Sequence, residues 1–264
     1  MQDRYVGDVG DFAKYALLRR LIGRPGERQT RLGLVWCLFP NEAHNNDGRH
    51  VAYLGKAEFQ GMDDALLDAL HKIVKSGHRC IAAVNDSGLF PEGTTFCNAA
   101  TAPRVGLRPL RSDLLRHRAA WLTLCLRSTE KCDLVFFDPD NGVEAASVPK
   151  HHPNAGKYIY WDELVQFWYR RQALLVYHHL NRTKPAAHQV RELKDRFQAE
   201  LDGASVLPLV FRRGSCRVFW LVYRSSPIGA KLERRSLDFL ASGWSRHFRS
   251  ADWLDEEVVT DWAV

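Results

Sequence analysis

Two aspartates and an asparagine follow an apolar segment in the middle of the chain. Residues 132–137 predict a buried strand, and Asp138, Asp140 and Asn141 come directly after it. In α/β proteins the carboxyl ends of parallel strands are where ligands bind, so two carboxylates and an amide would converge there on a polar ligand. The same residue types also form ordinary turns at strand ends. We favour a functional site, in which Asp138, Asp140 and Asn141 are the candidate catalytic residues.

The spacing of Asp138 and Asp140 has a second interpretation. An Asp-x-Asp pair after an apolar strand holds magnesium in some phosphohydrolases, where one carboxylate attacks phosphorus. That motif normally follows the first strand of a domain and is followed by threonine, whereas this pair lies mid-chain and is followed by Asn141 and Gly142. A metal-dependent phosphohydrolase or nuclease is therefore the alternative function.

A second group of charged residues lies at the start of the first expected helix. Asp11 is a candidate N-cap for a helix that runs to about Ile22. Lys14 follows three residues later, on the same face and one turn further on. An N-cap with an ion pair accounts for these residues structurally. In the functional interpretation the helix start lines a pocket, and Asp8, Asp11 and Lys14 contact a polar ligand.

The third candidate segment, residues 41–50, follows the first expected strand at 31–39. In an open α/β fold the loop after this strand usually contacts the cofactor. The chain contains neither the Gly-x-Gly-x-x-Gly nor the Gly-x-x-x-x-Gly-Lys-Ser/Thr pattern, which argues against an ordinary dinucleotide site or phosphate-binding loop. Asn45, Asn46 and Asp47 either hold ribose hydroxyls or an amino group, or form an ordinary Asx turn.

Alternating helices and strands must position these residues. Apolar spacing predicts helices over residues 11–22, 63–75, 111–127, 162–171 and 188–201, and strands over 31–39, 80–84, 132–137 and 173–178. Two further strands, 206–211 and 217–223, flank a short basic turn and predict a hairpin. We therefore expect an α/β fold of the Rossmann-like type, with a mostly parallel sheet and a C-terminal antiparallel hairpin. One domain is expected over residues 1–235, followed by a C-terminal extension over 236–264.

The composition is that of a globular protein with a mild basic excess. The chain has 264 residues, with 37 lysines and arginines against 31 aspartates and glutamates, and a net charge of +6. Arginine doublets such as Arg19-Arg20 and Arg212-Arg213 suit phosphate, so a nucleic-acid partner is permitted. No apolar run approaches the roughly 20 residues of a membrane helix, and we expect no membrane partner and no export signal.

Cysteines and histidines are spaced in ways that predict no metal site. The six cysteines are scattered singly, without a Cys-x-x-Cys pair, which favours a reduced, cytoplasmic environment over a zinc ribbon or a disulfide framework. His151-His152 and His178-His179 are adjacent pairs, without the i,i+4 spacing of a helical metal site. His178 and His179 end an expected strand, so one of them could face the pocket, although a solvent-facing turn is favoured.

Three blocks of the sequence resemble a known family. YVGDVGDFAKYALLRRL, VFFDPDNG and KYIYWDEL are similar to segments of a group of bacterial proteins. More distantly, their order resembles the monofunctional adenine-N6 methyltransferase of large-subunit ribosomal RNA. That family opens with Gly-Asn-x-x-Asp-x-x-Lys-His and ends its fourth strand in Asp-Pro-Pro-Tyr. The positions that fall on these two patterns are Gly7, Asp8, Asp11, Lys14 and Tyr15, and then Asp138, Pro139, Asp140 and Asn141.

This resemblance implies a Rossmann-like domain that binds S-adenosylmethionine. Lys14 and Tyr15 would lie at the cofactor, and Asp138 would accept a hydrogen bond from the target amino group. The carbonyl of Pro139 would help to hold that amine in line with the methyl group, which is catalysis by positioning and electrostatics. The candidate cofactor-binding residues are Asp8, Asp11, Lys14, Tyr15, Asn46 and Asp47.

The expected function is therefore an S-adenosylmethionine-dependent methyltransferase-like enzyme that acts on the amino group of a base in nucleic acid. The alternative is the metal-dependent phosphohydrolase or nuclease that uses Asp138 and Asp140. A third interpretation, a non-catalytic Rossmann-like module that binds nucleic acid, accounts for the missing glycine-rich loop.

Overall fold

Helices and strands alternate along most of the chain. The structure, a computed structural model, describes residues 1–23, 27, 29–42, 48–103, 109–213 and 215–250. The helices are α1 (Val9–Ile22), α2 (Asp64–Lys75), α3 (Ile81–Asn85), α4 (Arg111–Ser128), α5 (Trp161–Tyr169), α6 (Ala186–Glu200) and α7 (Pro227–Leu240). The strands are β1 (Leu32–Val35), β2 (Thr95–Cys97), β3 (Leu134–Phe137), β4 (Gly142–Val143), β5 (Tyr158–Ile159), β6 (Ala173–His179), β7 (Ser205–Arg213), β8 (Ser215–Tyr223) and β9 (Phe248–Arg249).

Seven of these strands form one sheet in the order β2-β1-β3-β6-β8-β7-β9. The first four are parallel neighbours, whereas β8 runs antiparallel to both β6 and β7, and β9 runs antiparallel to β7. Five strands therefore point in one direction and two in the other. The expectation of an α/β protein with a mostly parallel sheet is confirmed. The short strands β4 and β5 pair separately.

The central strands are buried on both faces, because helices cover the sheet on each side. In β3, Leu134 and Phe136 belong to one apolar cluster, while Val135 and Phe137 belong to the other. The first cluster includes residues of α1, α2 and α7, and the second includes residues of α4, α5 and α6. This alternation explains why the strand is an unbroken apolar run rather than an alternating one.

Two of the predicted helix starts are displaced in the structure. Helix α1 begins at Val9, because the side chain of Asp8, not that of Asp11, accepts hydrogen bonds from the free backbone N–H groups of Gly10 and Asp11. The prediction of Asp11 as N-cap is therefore wrong by three residues. Helix α5 likewise begins at Trp161 with Tyr160 at its N-cap, whereas Asp162 had been expected there.

The expected strand at 80–84 is wrong, since Ile81–Asn85 forms helix α3. A short apolar run fits either structure, and its two alanines favour a helix. The strand that pairs with β1 at this edge of the sheet is instead Thr95–Cys97, which sequence periodicity did not indicate.

The segment after residue 235 continues the fold of the preceding chain. The boundary expected there falls inside α7, and Phe239, Trp244 and Phe248 pack in the same apolar cluster as α1. Residues 251–264 lie outside the described part of the chain. Among the helices described, none has both the length and the apolar character needed to cross a membrane.

Candidate functional site

A cleft of about 1610 Å³ opens at the carboxyl ends of β3 and β6 and beside the start of α1. Six of the candidate residues line it, namely Asp8, Asp11, Lys14, Asp138, Asp140 and Asn141. The loop after β1 contributes Glu42, Gly48 and His50 to the wall, whereas Asn46 and Asp47 lie outside the described residues. Two segments far apart in sequence thus meet at the edge where they were expected.

Lys14 joins the two segments at the floor of this cleft. Its Nζ donates hydrogen bonds to Asp11 Oδ1 and to Asp138 Oδ2, both at 2.7 Å. The lysine side chain is 4% exposed and each of the two aspartates 3% exposed. One cation therefore compensates two carboxylates where little water is present to share that task.

Burial and neighbouring charges together shift the pKa values of this cluster. Burial disfavours the charged amine, but Asp11 and Asp138 outweigh it and raise the pKa of Lys14. Burial also raises the pKa of Asp138, although Lys14 opposes the shift. For Asp8, burial and then repulsion from Asp11 raise the pKa. Carboxyl groups with raised pKa values in a cleft are typical of binding and catalytic sites.

Asp11 is held by three donors from its own end of the chain. Its Oδ2 accepts hydrogen bonds from the backbone N–H of Gly7 at 3.0 Å and from the hydroxyl of Tyr15 at 3.1 Å. Its Oδ1 accepts the hydrogen bond from Lys14. Gly7 has φ +83°, and a Cβ there would come within 2.6 Å of Val74. This turn therefore requires glycine and fixes the approach of the chain to α1.

Tyr15 does not line the cleft. Its side chain is fully buried and packs edge-on against Trp36 and Phe90, with ring centroids 6.0 and 5.7 Å away. Its hydroxyl reaches the site only through Asp11, so any effect of Tyr15 on a ligand would be indirect. The role of Tyr15 in cofactor binding stays a prediction.

The first two residues of the chain enter the site, which sequence reasoning missed. The ammonium group of Met1 lies 2.9 Å from the carbonyl oxygens of Cys37 and Asp138, and 2.7 Å from Asp140 Oδ1. Gln2 Nε2 donates to Asp140 Oδ2 at 2.6 Å and to Glu42 at 2.9 Å. The oxygens near the ends of β1 and β3 therefore accept hydrogen bonds from one nitrogen, that of Met1.

His178 lines the cleft, so the expectation of a solvent-facing turn is wrong for this residue. Its Nδ1 accepts a hydrogen bond from the backbone N–H of Val143 at 3.1 Å, so in the neutral ring the proton is on Nε2. Burial, reinforced by His179, lowers the pKa of His178 to about 4. Gly142, at φ +114°, leaves room for this ring, since a Cβ there would lie 2.3 Å from Nδ1. The signal in the sequence was the position of His178 at the end of an apolar strand.

Arg217 of β8 adds a cation to the wall of the cleft. Its Nε donates to the hydroxyl of Tyr177 at 3.2 Å, and one terminal nitrogen donates to the carbonyl of Arg213 at 3.0 Å. Strand β8 lies beside β6, so that Arg217 is opposite His179. The position of Arg217 at the cleft could not be predicted from the sequence, because it depends on which strands pair.

No group of three or more histidine, cysteine, aspartate or glutamate side chains suited to a metal ion occurs among the residues that the structure describes. Comparison with protein-family models, curated proteins and solved structures finds no match to this chain. Functional inference therefore depends on the strand order and on the residues of the cleft.

Proposed function

We propose that this protein is an S-adenosylmethionine-dependent methyltransferase-like enzyme with a Rossmann-like domain, and that it acts on the amino group of a base in nucleic acid. One observation carries the proposal. Asp138 and Pro139 follow β3 in a sheet whose last long strand, β8, is inserted antiparallel between β6 and β7. This insertion is typical of methyltransferase sheets.

The strand order supports a ligand site at the same place. Along the sheet, β2 lies on one side of β1 and β3 lies on the other. Crossover connections therefore leave β1 in opposite directions, which creates a crevice at the carboxyl ends of β1 and β3. Cys37 and Asp138 lie close to those two strand ends, and both offer oxygens to the same nitrogen of Met1.

These oxygens support recognition of an amino group. The carbonyls of Cys37 and Asp138 and the carboxylate of Asp140 surround one nitrogen at 2.7–2.9 Å. Acceptors fixed on strand ends can align a target amine without reorganising during the reaction. In the proposed enzyme the Asp138 carboxylate and the Pro139 carbonyl accept hydrogen bonds from the target amine.

The charged residues of the cleft fit a zwitterionic cofactor. Lys14 and Arg217 are suited to a carboxylate, and Asp8 is suited to an ammonium group. When bound, S-adenosylmethionine would supply a methyl group on a cationic sulfur. The protein residues would orient that group and the amine and exclude water from the space between them.

Basic residues at the cleft support a nucleic-acid partner. Arg182, Lys184, Arg212 and Lys157 all line it, and the chain carries a net charge of +6. Lysine and arginine side chains bind phosphates without regard to sequence. A base within a duplex would have to be flipped out to reach Asp138. Such a substrate accords with the predicted cytoplasmic location.

The phosphohydrolase alternative has no comparable support. The Asp138 carboxylate faces Lys14, whereas the Asp140 carboxylate faces Met1 and Gln2. The two carboxylates therefore contact different partners within the cleft.

The proposal is tested by calorimetric titration with S-adenosylmethionine and S-adenosylhomocysteine in EDTA, followed by transfer of a labelled methyl group to RNA, to DNA or to neither. We expect micromolar binding, and label in nucleic acid only. Asp138→Asn should abolish transfer while binding remains. The matched control is Asp133→Asn, because Asp133 precedes the opposite end of β3 and pairs with Arg31. Failure to bind either compound, or full transfer by Asp138→Asn, would overturn the proposal.

A further inference from the structure

Two cysteine side chains are in direct contact on the face of the sheet that α4 covers. Cys97 is the last residue of β2, Cys125 lies in α4, and their Sγ atoms are 2.8 Å apart. A disulfide bond is about 2.05 Å long, so the two sulfurs are only about 0.75 Å beyond bonding distance. Both are free thiols in this structure.

The two elements that carry these thiols are fixed by other contacts. Cys97 is opposite Val35 in the parallel pairing of β2 with β1. Cys125 is fully buried, and Trp121 and Leu122 of the same helix belong to the same apolar cluster. The sulfurs therefore meet because a strand and a helix are both packed in place.

We propose that Cys97 and Cys125 are a modification site, at which a hydroperoxide oxidises the two thiols to an intrachain disulfide that joins β2 to α4. The proposal is independent of the methyltransferase activity.

The environment divides the roles of the two thiols. The hydrogen bond shared with Cys125 lowers the pKa of Cys97 to about 7, which favours the thiolate at Cys97 rather than at Cys125. The hydrogen bond to Cys97, together with burial, raises the pKa of Cys125, which stays protonated. Cys97 is thus the attacking thiolate and Cys125 the resolving thiol.

The reaction takes place in two balanced steps. The Cys97 thiolate attacks one oxygen of the peroxide, so that an S–O bond forms, the O–O bond breaks, and hydroxide leaves and is protonated to water. The Cys125 sulfur then attacks the sulfenic sulfur, the S–O bond breaks, and the leaving hydroxide takes the thiol proton as a second water. Two thiols and one hydrogen peroxide give one disulfide and two waters.

A small oxidant can approach Cys97 from the edge of the sheet. Strand β2 is the outermost strand on that side, and the next residue, Asn98, is exposed. Cys97 itself is 5% exposed. A bulky alkylating reagent should therefore react slowly with the native protein, whereas hydrogen peroxide should react.

The test uses the full chain, purified under reducing conditions and treated with one equivalent of hydrogen peroxide. Remaining thiols are alkylated after denaturation, and the protein is analysed by mass spectrometry. We expect a loss of about 2 Da before alkylation, two fewer alkylated cysteines, and one linked peptide pair that contains Cys97 and Cys125. Cys97→Ser and Cys125→Ser should each prevent the loss. Cys37→Ser and Cys132→Ser, from the same apolar cluster, are the matched controls and should retain it.

Three results would overturn the proposal. They are a gain of oxygen without loss of a thiol pair, a link that maps to other cysteines, and six free thiols after treatment. Circular dichroism of each variant shows whether it is folded, and Cys97→Ala and Cys125→Ala repeat the test where a serine variant is not. The oxidised wild type should also unfold at a higher temperature than the reduced protein, because the bond constrains the unfolded chain.

Discussion

Two buried clusters of charge differ in position, since the Lys14 cluster borders the cleft and the Arg118 cluster does not. Arg118 and Glu163 form an ion pair with 4% and 0% of their side chains exposed, and Lys14, Asp11 and Asp138 form the cluster at the cleft floor. The side chains of the two clusters are buried to almost the same extent. They differ in how their charges and hydrogen bonds are balanced.

The Arg118 cluster is balanced. Arg118 donates two hydrogen bonds to Glu163, at 2.7 and 2.6 Å, and one more to the carbonyl of Tyr158. Glu163 also accepts from the backbone N–H of Tyr160. The guanidinium lies 4.2 Å from the ring centre of Trp121. Arg118 meets Glu163 in a two-pronged geometry, and Lys150 lies 3.6 Å from the same carboxylate, so the negative charge of Glu163 is fully compensated.

The Lys14 cluster is unbalanced. Lys14 serves two carboxylates, Asp8 is repelled by Asp11 and attracted to Arg217, and the Met1 ammonium also attracts Asp138. The cluster borders the open space of the cleft. A buried excess of negative charge costs stability unless the fold compensates it. Its position at the switch point of the sheet is consistent with a role in binding rather than in folding.

The comparison predicts the largest stability loss for Arg118→Met. The variant removes the two hydrogen bonds from the guanidinium to the buried Glu163 carboxylate and leaves only the more distant Lys150 at 3.6 Å, which costs about 3–5 kcal/mol of unfolding free energy. Urea unfolding at neutral pH measures the loss. The matched control is Arg116→Met, because Arg116 lies on the same helix with its side chain 76% exposed, and its pairing with Asp113 contributes about 0–1 kcal/mol.

A double variant sharpens this result. Arg118→Met combined with Glu163→Leu removes both charges, so most of the loss should be recovered. If the double variant were as unstable as the sum of the two single variants, the ion pair would not be the cause of the loss.

A smaller loss, about 2–3 kcal/mol at pH 8, is expected for Lys14→Met, since its carboxylates can escape the penalty by taking up protons. Burial already raises the pKa of Asp138, and removal of the cation raises it further. A carboxyl group whose pKa is raised in the folded state favours folding at low pH and loses that contribution as the pH rises through the folded pKa. The difference between variant and wild type should therefore grow from pH 5 to pH 8. An equal difference at both values would contradict the unbalanced cluster.

Local patterns in the sequence predicted the elements and half of the site. The apolar runs of β1, β3 and β6 and the spacing of α2 were sufficient for these elements, since a buried strand and an amphipathic helix leave periodic signals. The rule that ligands bind at the carboxyl edge of a parallel sheet predicted the position of Asp138. Lys14 and Asp138 are 124 residues apart, and their direct contact is a feature that the sequence did not predict.

The rest of the site depends on contacts that no local pattern encodes. Met1 reaches Asp138 because the first residues pass over the end of β1, and Arg217 lines the cleft because β8 pairs with β6. The error at Ile81–Asn85 has a similar origin, since its four apolar residues fit either a strand or a helix until their neighbours are known.

His178 provides a third, weaker test, because it lies beside the cleft and its hydrogen-bond partner, the backbone N–H of Val143, is uncharged. Its pKa of about 4 lies below the ordinary value of 6.5, so between these values the unfolded chain binds a proton that the folded protein does not. Acidification from pH 6.5 to pH 4 should therefore remove about 2 kcal/mol of stability. His178→Asn should flatten this part of the pH profile, measured by urea unfolding. His71→Asn, at an exposed histidine of α2, should leave the profile unchanged.

The smallest effect on stability is expected at the exposed side of the cleft, where charge is fully hydrated. Arg182 is exposed in the loop after β6, so Arg182→Ala should change the unfolding free energy by less than about 0.5 kcal/mol. In the proposed function the same variant should weaken nucleic-acid binding and reduce the slope of log affinity against log salt concentration by about 1, since one phosphate contact is lost. Arg191→Ala, at an exposed arginine of α6, is the control that should keep the full slope. Equal slopes for both variants would separate the cleft from nucleic-acid binding, while the contrast between Arg118 and Lys14 would remain.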